Sequence, residues 1–199
     1  MRKLFMAALF IACTASFAFS QTAGSKDYNK YDFGVLYSHD RVDTGFSGSG
    51  GNFITNREGF NGVEGFGKYN FSRYLGAVGD YSFHRKTFDI FDNSGATISG
   101  IRVNLNTLMG GVEVKDNNTE TKVKPFARGL VGFQHASANV PFSSANTSEN
   151  GFSAAIGGGV DFRVNSRVDV RAIQFDYNPT RLGGETQNNF RFGVGLIFR

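Results

Sequence analysis

The sequence is poor in the features that usually hold a small protein together. Its one cysteine, Cys13, lies in an N-terminal segment that reads as removable, so the exported chain has no disulfide framework. Proline occurs three times, against Gly 26, Phe 22 and Tyr 7, a balance that favours β structure over helix. No long hydrophobic run follows residue 20, which excludes a membrane-spanning helix in the mature chain. Charge of one sign is scarce as well. Without Arg2 and Lys3 the formal charge falls from +4 to +2, and the basic residues form no stripe, so nucleic acid is not expected as a partner. His39, His84 and His135 lack metal-ligand spacing, and the glycines recur inside apolar segments rather than in a phosphate loop. Neither a metal nor a cofactor is expected.

What is present begins with a leader. Arg2 and Lys3 precede an apolar run from Leu4 to Phe19, followed by the small-x-small site Ala18-Phe19-Ser20. The run is too short for the roughly 20 residues of a spanning helix, so residues 1–20 read as a cleaved signal peptide. Residues 21–199 then form a single domain without an internal boundary, and the Gly/Ser-rich stretch "TGFSGSGGN" reads as a surface loop.

The mature chain alternates apolar and polar residues, segment after segment. "YDFGVLYS" sets Tyr31, Phe33, Val35 and Tyr37 against Asp32, Gly34 and Ser38. Val63, Tyr69 and Phe71 oppose Glu64, Lys68 and Asn70; Leu75, Ala77, Tyr81 and Phe83 oppose Gly76, Asp80, Ser82 and His84. "IRVNLNTLM" gives an apolar face of Ile101, Val103, Leu105 and Met109 opposite Arg102, Asn104 and Asn106. Ala127, Val131 and Phe133 face away from Arg128 and Gln134, and Phe152, Ile156, Val160 and Phe162 from Ser153, Gly157, Asp161 and Arg163. In "VDVRAIQFDY" the parity puts Ile173, Phe175 and Tyr177 outward with Arg171, leaving Gln174 and Asp176 inward. "NNFRFGVGLIFR" closes the series, with Phe190, Phe192, Val194, Leu196 and Phe198 on one face.

Eight strands follow, and their connections alternate in length. Short turns are expected around Phe71–Arg73, Asp116–Glu120 and Asn165–Arg167. Long polar loops are expected at about His39–Gly59, Arg85–Ser99, His135–Gly151 and Asn178–Asn188. An even-stranded meander with tight turns at one end is the layout of an outer-membrane barrel, with those turns on the periplasmic side. The last strand must pair with the first, because unpaired edges cannot face hydrocarbon. A soluble eight-stranded barrel of the lipocalin type would carry its greasy face inward. Against it stand a sparse polar face suited to a narrow lumen and aromatics near strand ends, such as Tyr31, Tyr37, Tyr69, Tyr74, Phe83, Phe133, Phe152 and Tyr177. On the inward face, acids Asp32, Glu64, Asp80, Asp161 and Asp176 balance bases Lys68, Arg102, Arg128, Arg163 and Arg191, which points to a paired plug. A small pore of low conductance is the alternative.

The last three segments, from "GFSAAIGGGVDFRV" to "FRFGVGLIFR", resemble the end of the OmpA-like eight-stranded barrel family. The shared elements are a Gly-rich strand with the inward acid Asp161, a very short turn, a strand ending Asp176-Tyr177, and a closing strand. Arg191, Gly193, Leu196 and Phe198 in that closing strand resemble the signal read by the barrel-assembly machinery. The resemblance implies an all-β transmembrane barrel, short and barrel-only, without the peptidoglycan-binding domain of larger members. It also implies a monomer in the bacterial outer membrane, in contact with outer-membrane lipid and lipopolysaccharide. Roles in the family run from envelope integrity to adhesion, carried by a surface ligand at the loops.

A second resemblance concerns chemistry. His135, Ser137 and Glu149 are similar to the catalytic set of the outer-membrane lipid A 3-O-deacylases, where the histidine activates the serine and the carboxylate orients the histidine. There the motif lies on the final hairpin, whereas here it opens the third long loop. The reading preferred for this stretch is a strand end running into a Ser/Asn-rich loop, and the expected function is non-enzymatic.

Overall fold

The computed structural model describes residues 28–43, 57–91, 97–139, 146–182 and 184–199, and the expected leader lies outside them. The described residues form eight strands: β1 (Tyr31–Val42), β2 (Glu58–Asn70), β3 (Leu75–Phe91), β4 (Thr97–Lys115), β5 (Val123–Asn139), β6 (Asn146–Arg163), β7 (Val168–Leu182) and β8 (Glu185–Phe198). Each pairs antiparallel with its neighbour, and β8 closes on β1 through Phe33↔Phe198 to Arg41↔Phe190, as the alternation to Phe198 requires. Paired residues followed around the wall from Tyr31 pass through Tyr69, Ala77, Val112, Gly129, Ile156, Tyr177 and Phe190. They return to β1 at Arg41, ten residues farther along. A stagger of this size tilts eight strands by about 40° and leaves an interior only wide enough for side chains.

The exterior is greasy and the interior polar, the reverse of a lipocalin. Phe33, Val35, Val63, Leu108, Val131, Ile156, Val194 and Leu196 are all exposed on the outer wall. Tyr31, Tyr69 and Phe71 cluster at the short-turn end, with ring centroids 5.4 and 5.3 Å apart. Toward the other end Tyr37 and Tyr81 donate their hydroxyls to Asn61 and Asn106, each at 2.8 Å, and Tyr177 does the same to Asn188. A ring with an apolar body and a polar tip suits a boundary between hydrocarbon and water.

The short turns fall where expected; three of the long loops do not. β3 runs on to Phe91, β5 to Asn139 and β7 to Leu182, each paired with the strand that follows. Leu182 pairs with Glu185 across a hairpin whose Gly184 has φ +86°, a left-handed conformation suited to glycine. Among the described strands, β1 and β2 alone are separated by a long stretch of chain, residues 43–57. The ladder continues past the apolar belt, but there both sheet faces can be polar, and alternation stops reporting the strand.

β4 also presents the opposite face from the one expected. Leu105 and Met109 are buried inside, whereas Leu108, Val112 and Val114 face out. In its first half the strand has passed the greasy belt, and Val103 and Leu105 turn inward to fill the barrel mouth. Gly34 shows how tight the interior is: a Cβ there would sit 2.1 Å from the Phe66 ring.

At the short-turn end, Arg73 holds Asp116 with Nε to Oδ1 at 2.8 Å and Nη2 to Oδ2 at 3.1 Å, and Thr121 adds a hydroxyl at 2.8 Å. The hydrogen bonds from Arg73 keep the Asp116 carboxyl below its ordinary 3.8, at about 2. The folded state is therefore favoured above the unfolded pKa, and the contribution disappears as pH falls from about 4 through 2. Asp116→Asn should flatten acid dependence in that window alone, by no more than about 1 kcal/mol for so exposed a pair, as read from the unfolding temperature at stepped pH.

Closure predicts a second behaviour. Unboiled protein should migrate differently from boiled protein on a denaturing gel. Phe198 faces outward at the barrel's end, where its loss removes only part of a burial term of about 1–3 kcal/mol. Phe198→Ala should lower membrane-fraction yield while leaving the thermal stability of inserted barrel nearly unchanged. Normal yield with sharply reduced stability would make this residue ordinary packing.

Candidate functional site: the lumen and its mouth

The interior is filled in three tiers. Nearest the short turns, Lys68 Nζ lies 2.9 Å from Glu113, 3.0 Å from Asp32 and 2.8 Å from the Asn117 side-chain oxygen. Lys115 reaches Asp161 at 2.9 Å, and Lys124 reaches Asp169 at 3.0 Å. Arg171 donates to both oxygens of Asp161, at 2.8 and 3.1 Å, and to Glu113 at 3.2 Å. Its guanidinium lies over the rings of Phe126 and Phe66, 3.8 and 4.7 Å from their centroids. A planar cation resting over aromatic ring faces keeps its edge free for carboxylates.

The middle tier is a five-member cluster. Arg128 binds Asp176 in a fork, at 3.0 and 2.5 Å, and extends to Glu64 at 3.0 Å and Asp80 at 3.2 Å. Arg191 reaches Asp80 at 3.1 Å, Asp176 at 3.3 Å and Glu64 at 3.4 Å. Gln174 adds an amide donor to Glu64 at 2.9 Å. Asp176 and Arg191 stand directly opposite one another on β7 and β8, the register expected for a regular hairpin.

The upper tier is polar but mostly uncharged. His84 hydrogen-bonds Ser38 at 2.9 Å and lies 3.4 Å from Asp40, while Ser153 donates to Asn178 at 2.8 Å. Above it Val42, Phe60 and Leu105 close the mouth, with Phe88, Val103 and Ala136 packed against them. A buried charge without a partner costs several kcal/mol, and here every interior lysine and arginine has carboxylates within reach. Among the described residues, charged groups fill the lower interior and apolar side chains the mouth.

The plug exceeds the one expected. Asp32, Glu64, Asp80, Asp161, Asp176, Lys68, Arg128 and Arg191 all point inward. Arg102 does not: it lies exposed on the outer face of β4, the strand whose parity is reversed. Arg163 sits at the rim, donating to the Asn165 carbonyl at 3.3 Å. In their place come Glu113, Lys115, Lys124 and Asp169. Arg171 is the instructive correction. Expected outward, it is fully buried, because β7 carries a bulge where Arg171 pairs with Gly195 and Gln174 with Gly193. One extra residue reverses the parity on its far side. Arg199 also joins the plug, donating to Asp169 at 3.4 Å and to the Asn117 carbonyl at 2.9 Å.

The deacylase-like set is not assembled. His135 and Ser137 share the outer face of β5, where His135 Nδ1 is 2.7 Å from the Asn150 side-chain oxygen. Glu149 pairs with Ala136 and so lies on the opposite face of the sheet. No carboxylate orients the histidine from there, and the enzyme alternative loses its geometry.

The middle tier makes a sharp prediction. Three acids face two arginines, so Asp176→Asn leaves two against two, whereas Arg128→Met or Arg191→Met leaves three acids against one base. The arginine variants should lose about 3–5 kcal/mol, and Asp176→Asn clearly less, measured as loss of the unboiled gel form with temperature. Equal losses would mean that charge balance does not hold the tier together.

Comparison with known proteins follows this architecture. Among curated proteins none matches the sequence significantly. Neisserial surface protein A is similar in structure, with a TM-score of 0.59 at 12% identity over 85% of this chain and 97% of that one. The attachment invasion locus protein Ail of Yersinia pestis, solved with the heparin analogue sucrose octasulfate, gives 0.52 at 16% identity over 85% and 100%. At such identities the likeness is one of fold. The family model described as the outer membrane protein beta-barrel domain matches residues 5–198. So little of the chain falls outside that match that the protein belongs to this family, a β-barrel of the bacterial outer membrane.

Proposed function

We propose that the protein is a non-enzymatic barrel whose lumen is sealed and whose specific binding occurs at its extracellular rim. The observation that carries this reading is the filled interior: ion pairs in two tiers, then an apolar cap of Val42, Phe60 and Leu105. With transport closed off, the parts that reach another molecule are the outer wall and the rim. The rim is uneven. β3 to β6 rise well past the aromatic level as one paired sheet, with Arg85 and Arg102 exposed on its outer face. Arg85 is braced by a bond from Nε to Asn104 at 2.7 Å. Sulfated or phosphorylated surface sugars suit such a face, and Ail's complex with a sulfated sugar supports testing that class first.

Reconstituted protein should show little or no conductance in planar bilayers, and large stable steps would overturn the sealed lumen. Cells displaying the barrel should retain heparin, and Arg85→Gln with Arg102→Gln should lower retention severalfold without changing surface amount. Unchanged retention would remove the rim sheet as the binding face.

A further inference from the structure

Among the described residues the bore holds more acid than base. Above the Arg171 tier the buried acids are Asp40, Glu64, Asp80 and Asp176, against the buried cations Arg128 and Arg191. Below, Lys68, Lys115, Lys124, Arg171 and Arg199 face Asp32, Glu113, Asp161 and Asp169, an excess of one cation. Gln174 separates the two groups. It accepts from Arg171 Nη1 at 2.7 Å and donates to Glu64 at 2.9 Å and Asp176 at 3.1 Å. Even counted as a whole, the bore keeps one carboxylate too many.

The unbalanced acid is Asp40. It stands opposite Arg191 on β8, but the Arg191 guanidinium is turned down to Glu64 of β2, Asp80 of β3 and Asp176 of β7. Asp40 is 2% exposed, and among the described residues its Oδ1 has no hydrogen-bond partner. Its neighbour is His84, fully buried on β3. His84 Nδ1 lies 3.4 Å from Asp40 Oδ2 and is likewise without a hydrogen bond, while Nε2 is 2.9 Å from Ser38 Oγ. The other cation nearby, Arg128 of β5, is held by Glu64, Asp80 and Asp176. β4 and β6 bring the hydroxyls of Thr107 and Ser153, and Lys86 at the mouth is paired with Glu58. An acid and a base, both shut away from water, thus face one another across a gap that a shared proton would close.

We propose that Asp40 and His84 bind one proton between them at neutral pH, as the counter-charge of the upper bore. With the proton on His84, the ring donates from both nitrogens, to Asp40 and to Ser38; with it on Asp40, the carboxyl donates to Nδ1. Asp40 pairs with Phe60 across β1 and β2 and lies two residues from Val42, both of the apolar cap. Loss of the proton leaves an uncompensated charge directly under that cap, so the mouth is the part of the plug that loosens as pH rises. The proposal rests on the charges of the bore and not on the rim ligand, so either can fail alone.

Urea unfolding of the barrel in detergent micelles, at stepped pH from about 7.5 to 9, tests it. In that window the carboxylates and histidines of the unfolded chain carry almost no proton, so a folded barrel that still holds one loses stability as pH rises. The unfolding constant of wild type should rise by up to about tenfold per pH unit. Asp40→Asn, which leaves as many cations as acids in the bore, should remove that rise, and His84→Gln should reduce it. Asp116→Asn at the short-turn end should leave it unchanged. Other groups that titrate in the window are common to all variants, so differences from wild type isolate the pair. Asp40→Ser serves if the amide prevents folding, which the unboiled gel form reports. A wild type without pH dependence, or a folded Asp40 variant as pH-dependent as wild type, overturns the site. The full dependence retained in His84→Gln puts the proton among the carboxylates alone and overturns the pair.

Discussion

The pairing of β8 with β1 is the constraint on which everything else here depends. A sheet in hydrocarbon cannot leave a row of N–H and C=O groups open, so the eighth strand must return to the first. Closing eight strands with a ten-residue stagger leaves a bore without room for bulk water. Side chains that point inward must then satisfy one another. Charge pairing in the lumen is a consequence of closure rather than an added feature.

Closure also explains why the plug is layered. Each carboxylate in the middle tier lies beside two guanidinium groups, and each guanidinium beside more than one carboxylate. Such sharing satisfies more lone pairs than isolated pairs would, which matters where no water can substitute. Near the mouth the demand relaxes, and amides, hydroxyls and then apolar side chains take over. In the proposed reading, a filled bore moves the protein's outward dealings to its rim and wall. On that proposal the exposed arginines of the rim serve as the contact surface and the charged interior as scaffold.

Period-two alternation was enough to find the eight strands, the three tight turns and the closing pair, because lipid on one side forces every second residue to be greasy. It was enough to place Asp176 opposite Arg191, since a hairpin's register follows from distance to its turn. It failed where lipid stops. The ends of β3, β5 and β7 beyond the belt read as loops because no lipid there enforces apolar–polar alternation, and the apolar residues of β4 read as outward although Leu105 and Met109 are buried inside. His135, Ser137 and Glu149 looked like a catalytic set in line, but alternation itself separates them: an odd spacing from the paired position puts Glu149 on the other face.

The sequence by itself determined the class of this protein, a single closed sheet with a greasy outside and a charged inside. Periodicity is a local property, and each strand reports it alone. Only the tertiary structure decided which charges enter the plug. Arg171 depends on one extra residue in β7, and that residue is visible only against its partners on β6 and β8. Lys115 and Lys124 follow the inward phase of Met109 and Arg128, but their partners Asp161 and Asp169 lie on other strands, and Arg199 follows the last strand residue, where parity says nothing about which way a long side chain folds. Partner choice in a filled bore is set by geometry across strands far apart in the chain, and no local pattern carries it.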